Sequence, residues 1–248
     1  MRTAATLAAT VAAIFLLLPL FVLGISWMLR ATVSTAVLAI VLRTAVAAAV
    51  ATTIDMVFGI AMGYRLSRDP EFRRRPLRML LQIPGHVPQA AVGLALVMAY
   101  GGVLGNGSSW TGYALVIAAM VFVSLPVAVE ECRRGFDAVD IHLERVSRTL
   151  GAGAGKTFRQ VTLPLAADGL LGAAAVVFAR AFGEFAALAF FMPFPLTVGT
   201  GIYQWFSQGM TEKAVEMAAV GAMFSLLSWV LVVGIRLWVG RRLGRFRG

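Results

Sequence analysis

Glu130-Glu131-Cys132-Arg133-Arg134-Gly135-Phe136-Asp137-Ala138-Val139-Asp140-Ile141-His142-Leu143-Glu144-Arg145-Val146-Ser147-Arg148-Thr149-Leu150-Gly151-Ala152-Gly153-Ala154-Gly155-Lys156-Thr157-Phe158-Arg159-Gln160-Val161-Thr162-Leu163 is the stretch on which the reading turns. It carries 11 charged residues in 34, and apolar sequence stands on both sides of it. Val139, Leu143, Val146 and Leu150 recur at helical spacing, so one face of a helix there is apolar. Gly151 is a natural C-terminal stop for that helix. A second short segment, 154 to 161, places Phe158 and Val161 on one side, and Leu163-Pro164 then opens the next apolar run, where proline is tolerated at a helix start. Helix, glycine break, short amphipathic helix, proline: the pattern suits an element lying along a membrane face as a docking site for something soluble.

The flanks establish that membrane. AVILMFWYC residues make up 59% of 248, charged residues only 14%, and the mean hydropathy is +0.83. A soluble domain devotes roughly a quarter of its residues to charge. Six apolar segments can be cut out, at about 4–28, 44–64, 79–104, 111–129, 166–190 and 216–239. Each approaches the roughly 20 residues a crossing needs, and lipid leaves a spanning run no alternative to a helix or a closed barrel. The polar remainder is too small for a separate soluble domain, so any ATPase, receptor or catalytic unit has to be another polypeptide. The first run ends in Met28-Leu29-Arg30 without a small-x-small cleavage site and reads as a retained span rather than a signal peptide.

The net charge of +10 invites a nucleic-acid reading until the charges are placed. With both termini cytoplasmic, 17 of the 22 Lys and Arg residues fall on the inner side, while only Arg30, Arg43 and Lys213 fall outside. That asymmetry is the positive-inside rule, so the basic excess reports topology and not a nucleic-acid partner. The Arg73-Arg74-Arg75 run reads as an anchor to anionic headgroups.

Several features admit a bland and a sharp reading. Gly59 with Gly63, and Gly101 with Gly105, are small-xxx-small pairs, for which close helix packing is the first explanation. Arg180 and Glu184 stand four apart on the fifth segment and serve either as a helix–helix brace or as lining of a pathway or its gate. Asp55 in the second segment could bind a cation or neutralise an arginine, with a structural role the most economical. Pro84 and Pro88 flank His86 and permit a kink in a helix that alternates between packings, and a lone histidine is ordinarily a packing residue. Cys132 is single, so no internal disulfide or thiolate cluster can form, and no metal site is expected. Gly151 to Thr157 imitates a nucleotide P-loop, but its leading glycine position holds Leu150 and helix rather than strand precedes it.

The same loop resembles the "EAA" loop of ABC importer permeases. Gly151, Val161, Leu163 and Pro164 match that pattern in spacing, whereas the Glu-Ala-Ala triplet is replaced by Arg145, Val146 and Ser147, with Glu144 just before. Leu80 to Gly93 is similar to the proline-containing start of the third span in oxyanion permeases. Phe178-Ala179-Arg180-Ala181-Phe182-Gly183-Glu184-Phe185 is similar to the corresponding segment of molybdate, tungstate and sulfate permeases. Met192-Pro193-Phe194-Pro195 departs from that family's continuation.

The resemblance implies an all-α membrane protein of the type I importer permease fold, a single domain over 1–248, with six spans, both termini inside and a cytoplasmic coupling helix. It further implies a multi-pass subunit of a prokaryotic cell membrane and a second, identical permease copy. A cytoplasmic ABC ATPase dimer would grip the 130–163 loop through Glu144, Arg145, Arg148, Gly151, Ala152, Lys156, Thr157, Phe158, Val161, Leu163 and Pro164. An extracytoplasmic binding protein would deliver the solute past Pro84, Pro88, Arg180 and Glu184. The chain itself would be no enzyme and hold no cofactor, ATP and Mg²⁺ belonging to the partner ATPase. Molybdate or tungstate is the first substrate expectation and sulfate the next, with ferric iron, thiamine or polyamine as alternatives inside the class. A stand-alone secondary transporter is the alternative from another class; sparse intramembrane charge and the docking loop weigh against it. A membrane-embedded enzyme finds no paired carboxylates, His-Glu cluster or nucleophile–base pair to support it.

Overall fold

A computed structural model describes residues 2–28, 33–74, 77–104, 109–191 and 195–244, and every regular element among them is a helix. In chain order these are α1 (Arg2–Met28), α2 (Thr35–Arg68), α3 (Pro70–Arg74), α4 (Leu77–His86), α5 (Gln89–Leu104), α6 (Ser109–Asp137), α7 (Ile141–Thr149) and α8 (Ala154–Thr157). A π turn over Phe158–Thr162 leads into α9 (Leu163–Phe182); a 3-10 turn over Leu188–Phe191, α10 (Val198–Ser207) and α11 (Thr211–Gly244) complete the order. Four stretches are long and apolar enough to cross a bilayer: Thr35–Arg68, Thr111–Asp137, Ala154–Phe182 and Thr211–Arg236. Thr10–Ser26 and Gln89–Tyr100 are apolar but shorter.

α2 and α6 form the centre. The Ser34 hydroxyl accepts the Val37 N–H and starts α2, whose buried residues Val37, Val41, Thr44, Ala48, Ala51, Asp55, Gly59, Gly63 and Leu66 return every three or four positions. That stripe is made of small side chains, so the α6 backbone can come close. A Cβ added at Gly59 would stand 3.0 Å from the Ala128 carbonyl oxygen, and one at Gly63 would stand 2.8 Å from the Arg133 nitrogen. The Gly59/Gly63 pair is thus a packing contact; Gly105 of the other pair lies outside the described residues. α9 lies against α6 through a second glycine contact, where a Cβ on Gly169 would meet the Gly135 Cα at 2.7 Å. α11 packs on α9 and α10.

Five sequence expectations change. The 44–64 segment is the middle of a 34-residue helix, so Arg43 sits within α2 and not in an outer loop. The 79–104 segment is two helices, because Val87-Pro88 interrupts it: a residue before proline is steered out of the α region and Pro88 offers no N–H. The 166–190 segment ends as helix at Phe182 and begins much earlier, since α8, the π turn and α9 run on as one 29-residue stretch. The short amphipathic helix expected over 154–161 is therefore the root of the membrane helix. Pro164 explains the π turn: its ring crowds the carbonyl four residues back, and the backbone widens so that the Leu163 N–H bonds to the Phe158 carbonyl. Finally, α10 has no counterpart among the six segments, being ten residues long; Thr197 and Thr200 open it with a capping box, the Thr197 N–H donating to Thr200 Oγ1 at 2.9 Å.

Candidate functional site

The polarity of α7 is arranged inside out. Asp140 caps it, accepting the His142 N–H at 2.8 Å, and Gly151 ends it in the left-handed region at φ +87°. Of the apolar stripe read from the sequence, Val139 is buried, but Leu143, Val146 and Leu150 are exposed, Leu150 at 82%. Glu144, by contrast, is 3% exposed. The amphipathic face that a sequence argument would turn inward faces out, and the carboxylate faces in.

A cage of polar and aromatic groups makes that inversion tolerable. Arg68 at the end of α2 donates from Nε to Glu144 Oε1 at 2.9 Å and from Nη2 to the Val139 carbonyl at 2.9 Å. The Tyr64 hydroxyl, one turn earlier, lies 3.4 Å from Glu144 Oε2. Tyr64 stands edge-on to Phe136 of α6 and Phe158 of the π turn, with ring centroids 5.3 and 4.9 Å away. Removing one member of such a buried ion pair strands the other, at about 3–5 kcal/mol. Ser147 and Thr157 share a hydrogen bond at 3.1 Å that ties α7 to α8, and Cys132 and Leu163 belong to the same buried cluster.

The remaining loop residues divide cleanly. Arg145, Arg148, Gly151 and Lys156 are exposed, Thr157 is buried, and Ala152, Phe158, Val161, Leu163 and Pro164 are half-buried. Arg148 Nη2 comes only to 4.0 Å from Glu144. The outward face of α7 is thus Leu143, Val146 and Leu150 rimmed by Arg145, Arg148 and Lys156. Such a surface suits a soluble partner with an apolar pocket and acidic edges.

Arg180 and Glu184 are not a brace. α9 stops at Phe182, Gly183 caps it, and Glu184 lies beyond the helix, buried, accepting the Ala187 N–H at 2.9 Å. Arg180 is exposed beside Val176 and Ala179, and no hydrogen bond or ion pair holds it among the described residues. Pro84 is half-buried inside α4, and His86 and Pro88 are exposed at the break. Asp55 neutralises no arginine among the described residues: it is fully buried and takes the Ser124 hydroxyl at 2.5 Å, and its Oδ1 has no partner among them. The true cross-helix brace is Asp168 with Arg236, two parallel bonds of 3.0 Å between α9 and α11. Gly172 leaves room for that guanidinium. An acid amid the apolar fifth segment was the available signal, and the intramembrane-charge rule would have found it.

Comparison with known proteins bears on what docks there. The family described as "Binding-protein-dependent transport system inner membrane component" matches residues 55–245. The chain belongs to that family. The permease is 32% identical over 197 residues to the molybdate/tungstate transport system permease protein WtpB of Pyrococcus abyssi, covering 77% of each chain. It is 27% identical over 206 residues to the molybdenum transport system permease protein ModB of Haemophilus influenzae, covering 76% of this chain and 87% of that one. Its fold is similar to that of a chain of the MetNI methionine ABC transporter in an inward-facing conformation, at a TM-score of 0.66 and 17% identity over 83% of this chain and 99% of that one. A bacterial ABC transporter that imports alginate aligns at 0.58 and 13% identity, over 97% and 95% of the two chains. The protein is an ABC importer permease located in a membrane, and the stand-alone secondary transporter is set aside. Permeases of this class are transport subunits and work with an ATPase and a binding protein.

In that light Gly151 acquires a definite test. A Cβ there would meet nothing within 4 Å, so bulk is harmless and only the positive φ is restrictive. Gly151→Val should destabilise the α7–α8 turn by about 1–2 kcal/mol, whereas Gly151→Asn should be nearly silent. ATPase co-purification and solute-stimulated ATP hydrolysis in proteoliposomes read the difference; equal values for the two variants would show that the turn conformation is irrelevant to coupling.

Proposed function

We propose that the permease, as one of two identical copies, forms the path for a tetrahedral oxyanion, molybdate or tungstate first and sulfate next, in a prokaryotic cell membrane. Six spans carry the chain back and forth with both termini in the cytoplasm, α1 and the α4–α5 pair supplying the two beyond the four stretches named above. An ATPase dimer sits on the outward faces of the two α7 helices, and a binding protein delivers the solute from outside. The observation that carries this reading is the exposed Leu143, Val146 and Leu150 face of α7, held rigidly to the bundle by the buried Glu144. An apolar face on a charged loop, too short to span, calls for a protein partner. The oxyanion preference rests on the WtpB and ModB relatives and on Arg180, an exposed guanidinium with a planar fork of donors suited to an oxyanion.

ATP binding brings the ATPases together, the α7 helices follow, and the cavity turns outward; hydrolysis returns it. The solute biases that cycle only through different affinities for the two states. Covalent chemistry is not asked of this chain.

Co-expression with the cognate ATPase and binding protein, followed by molybdate uptake into ATP-loaded proteoliposomes, is the test. ATP-dependent uptake competed by tungstate is expected. Val146→Asp with Leu150→Asp should release the ATPase during purification while the permease stays monodisperse. An ATPase that remains bound to that double variant would show that α7 is not its seat.

A further inference from the structure

The exposed face of α7 says where a partner would bind; it does not say how a push on α7 reaches the helices. The covalent routes are compliant. On one side the chain leaves α7 through Gly151, Gly153 and Gly155, with Gly151 at positive φ; on the other, three residues, 138 to 140, join it to α6. Among α7 side chains only Glu144 is buried in the rest of the molecule. Its partner Arg68 is bidentate in effect, one nitrogen on Glu144 and another on the Val139 carbonyl, so it clasps α7 and the strap before it together. The side chains of the pair are 13% and 4% exposed, in a setting that screens them little.

The nearby charges are otherwise engaged. Arg133 is paired with Glu130 and Asp137, Arg134 with Glu130 and Glu131, and Asp137 also takes the Ser67 hydroxyl at 2.6 Å. Arg68 therefore has Glu144 as its single close carboxylate among the described residues, and it stands at the end of a 34-residue helix that forms half of the central pair. Tyr64, one turn up, carries the contact into the Phe136 and Phe158 rings, and so to α6 and the π turn.

We infer that Arg68 is the positioning residue through which the docked ATPase drives the bundle, with the Arg68–Glu144 ion pair as the stiff link from α7 to α2 and Tyr64 as its lateral support. This rests on the ATPase docking at α7 proposed above. In consequence α2 moves with α7 from the start of each cycle, and α9 follows through the π turn.

Charge exchange tests it in the reconstituted complex of permease, ATPase and binding protein. Arg68→Glu and Glu144→Arg should each lower the stimulation of ATP hydrolysis by loaded binding protein at least about fivefold, and the exchanged pair R68E/E144R should recover most of it. ATPase co-purification is measured alongside and is expected to persist, since neither side chain lies on the outward face. Single variants as strongly stimulated as the parent, or an exchanged pair no better than the singles, overturn the inference. Where the reversed charges prevent accumulation, R68Q/E144Q leaves no buried charge unpaired; it should keep the ATPase bound yet lose stimulation, and full stimulation would overturn the link. Failure of the parent itself to retain an ATPase would instead overturn the docking reading and the inference with it.

Discussion

Leucine at position 63 is expected to destabilise the permease severely. A Cβ there would already lie 2.8 Å from both the Arg133 backbone nitrogen and the Cys132 Cβ, and 3.0 Å from the Cys132 carbonyl carbon. Backbone cannot rotate aside as a side chain would, so the whole α2–α6 pair must part. The parting would be felt by Gly59 against Ala128, by the Tyr64–Phe136 contact, and by Arg68 at the foot of the helix. Overpacking of a well-packed core costs typically 1–3 kcal/mol, and a clash with unyielding backbone belongs at about 3 kcal/mol or beyond. That is roughly a hundredfold in the folded ratio, a large part of any domain's marginal stability. Gly63→Ala should show an intermediate loss. Gly234→Leu, where nothing lies within 4 Å of the added carbon, should be neutral. Size-exclusion profiles and thermal transitions in detergent measure all three, and a Gly63→Leu protein as stable as the Gly234→Leu one would refute the packing argument.

Reversing the charge at Arg180 is expected to lower oxyanion uptake about a hundredfold without dislodging the ATPase. The guanidinium is on the face of α9 turned away from its own core, together with Val176. Were that face in lipid, an unpaired arginine would cost roughly 2.5–3.5 kcal/mol even by the lenient insertion scales, which is why the proposed function puts it on a wet path. A carboxylate in its place would turn attraction for a dianion into repulsion. Arg180→Lys keeps the charge and loses the planar fork, and should retain part of the uptake. The measurement is binding-protein-dependent molybdate uptake with ATPase retention followed in parallel. Parental uptake by the Arg180→Glu protein would remove this residue from the path.

Much of the helical layout was legible because lipid allows few structures. Hydropathy located α1, α2, α6, α9 and α11 to within a turn or several turns, and the Gly59/Gly63 spacing suggested close helix packing, for which only the structure supplies α6 as the partner. Gly151 was readable as the end of α7. Where the reading failed, the reason is that periodicity marks a face but not its direction. Leu143, Val146 and Leu150 form a proper stripe, and periodicity does not say that it faces outward. Arg180 and Glu184 were paired by helical spacing, yet the helix ends at Phe182 and spacing loses its meaning there. Asp168 was detectable as an acid in an apolar run, but its partner Arg236 is 68 residues away, beyond the reach of any local rule.

Composition and charge placement alone determined that this chain is a helical membrane protein with short polar loops, since unpaired backbone groups are prohibitively expensive in hydrocarbon and so few charges leave no soluble domain. The loop's glycine and proline spacing determined the family resemblance. Only the tertiary structure decided which side of α7 is free, because that depends on Arg68, 76 residues away in the chain, claiming Glu144. With Glu144 buried against Arg68, the apolar side chains on the opposite face of α7 have nowhere to turn but outward.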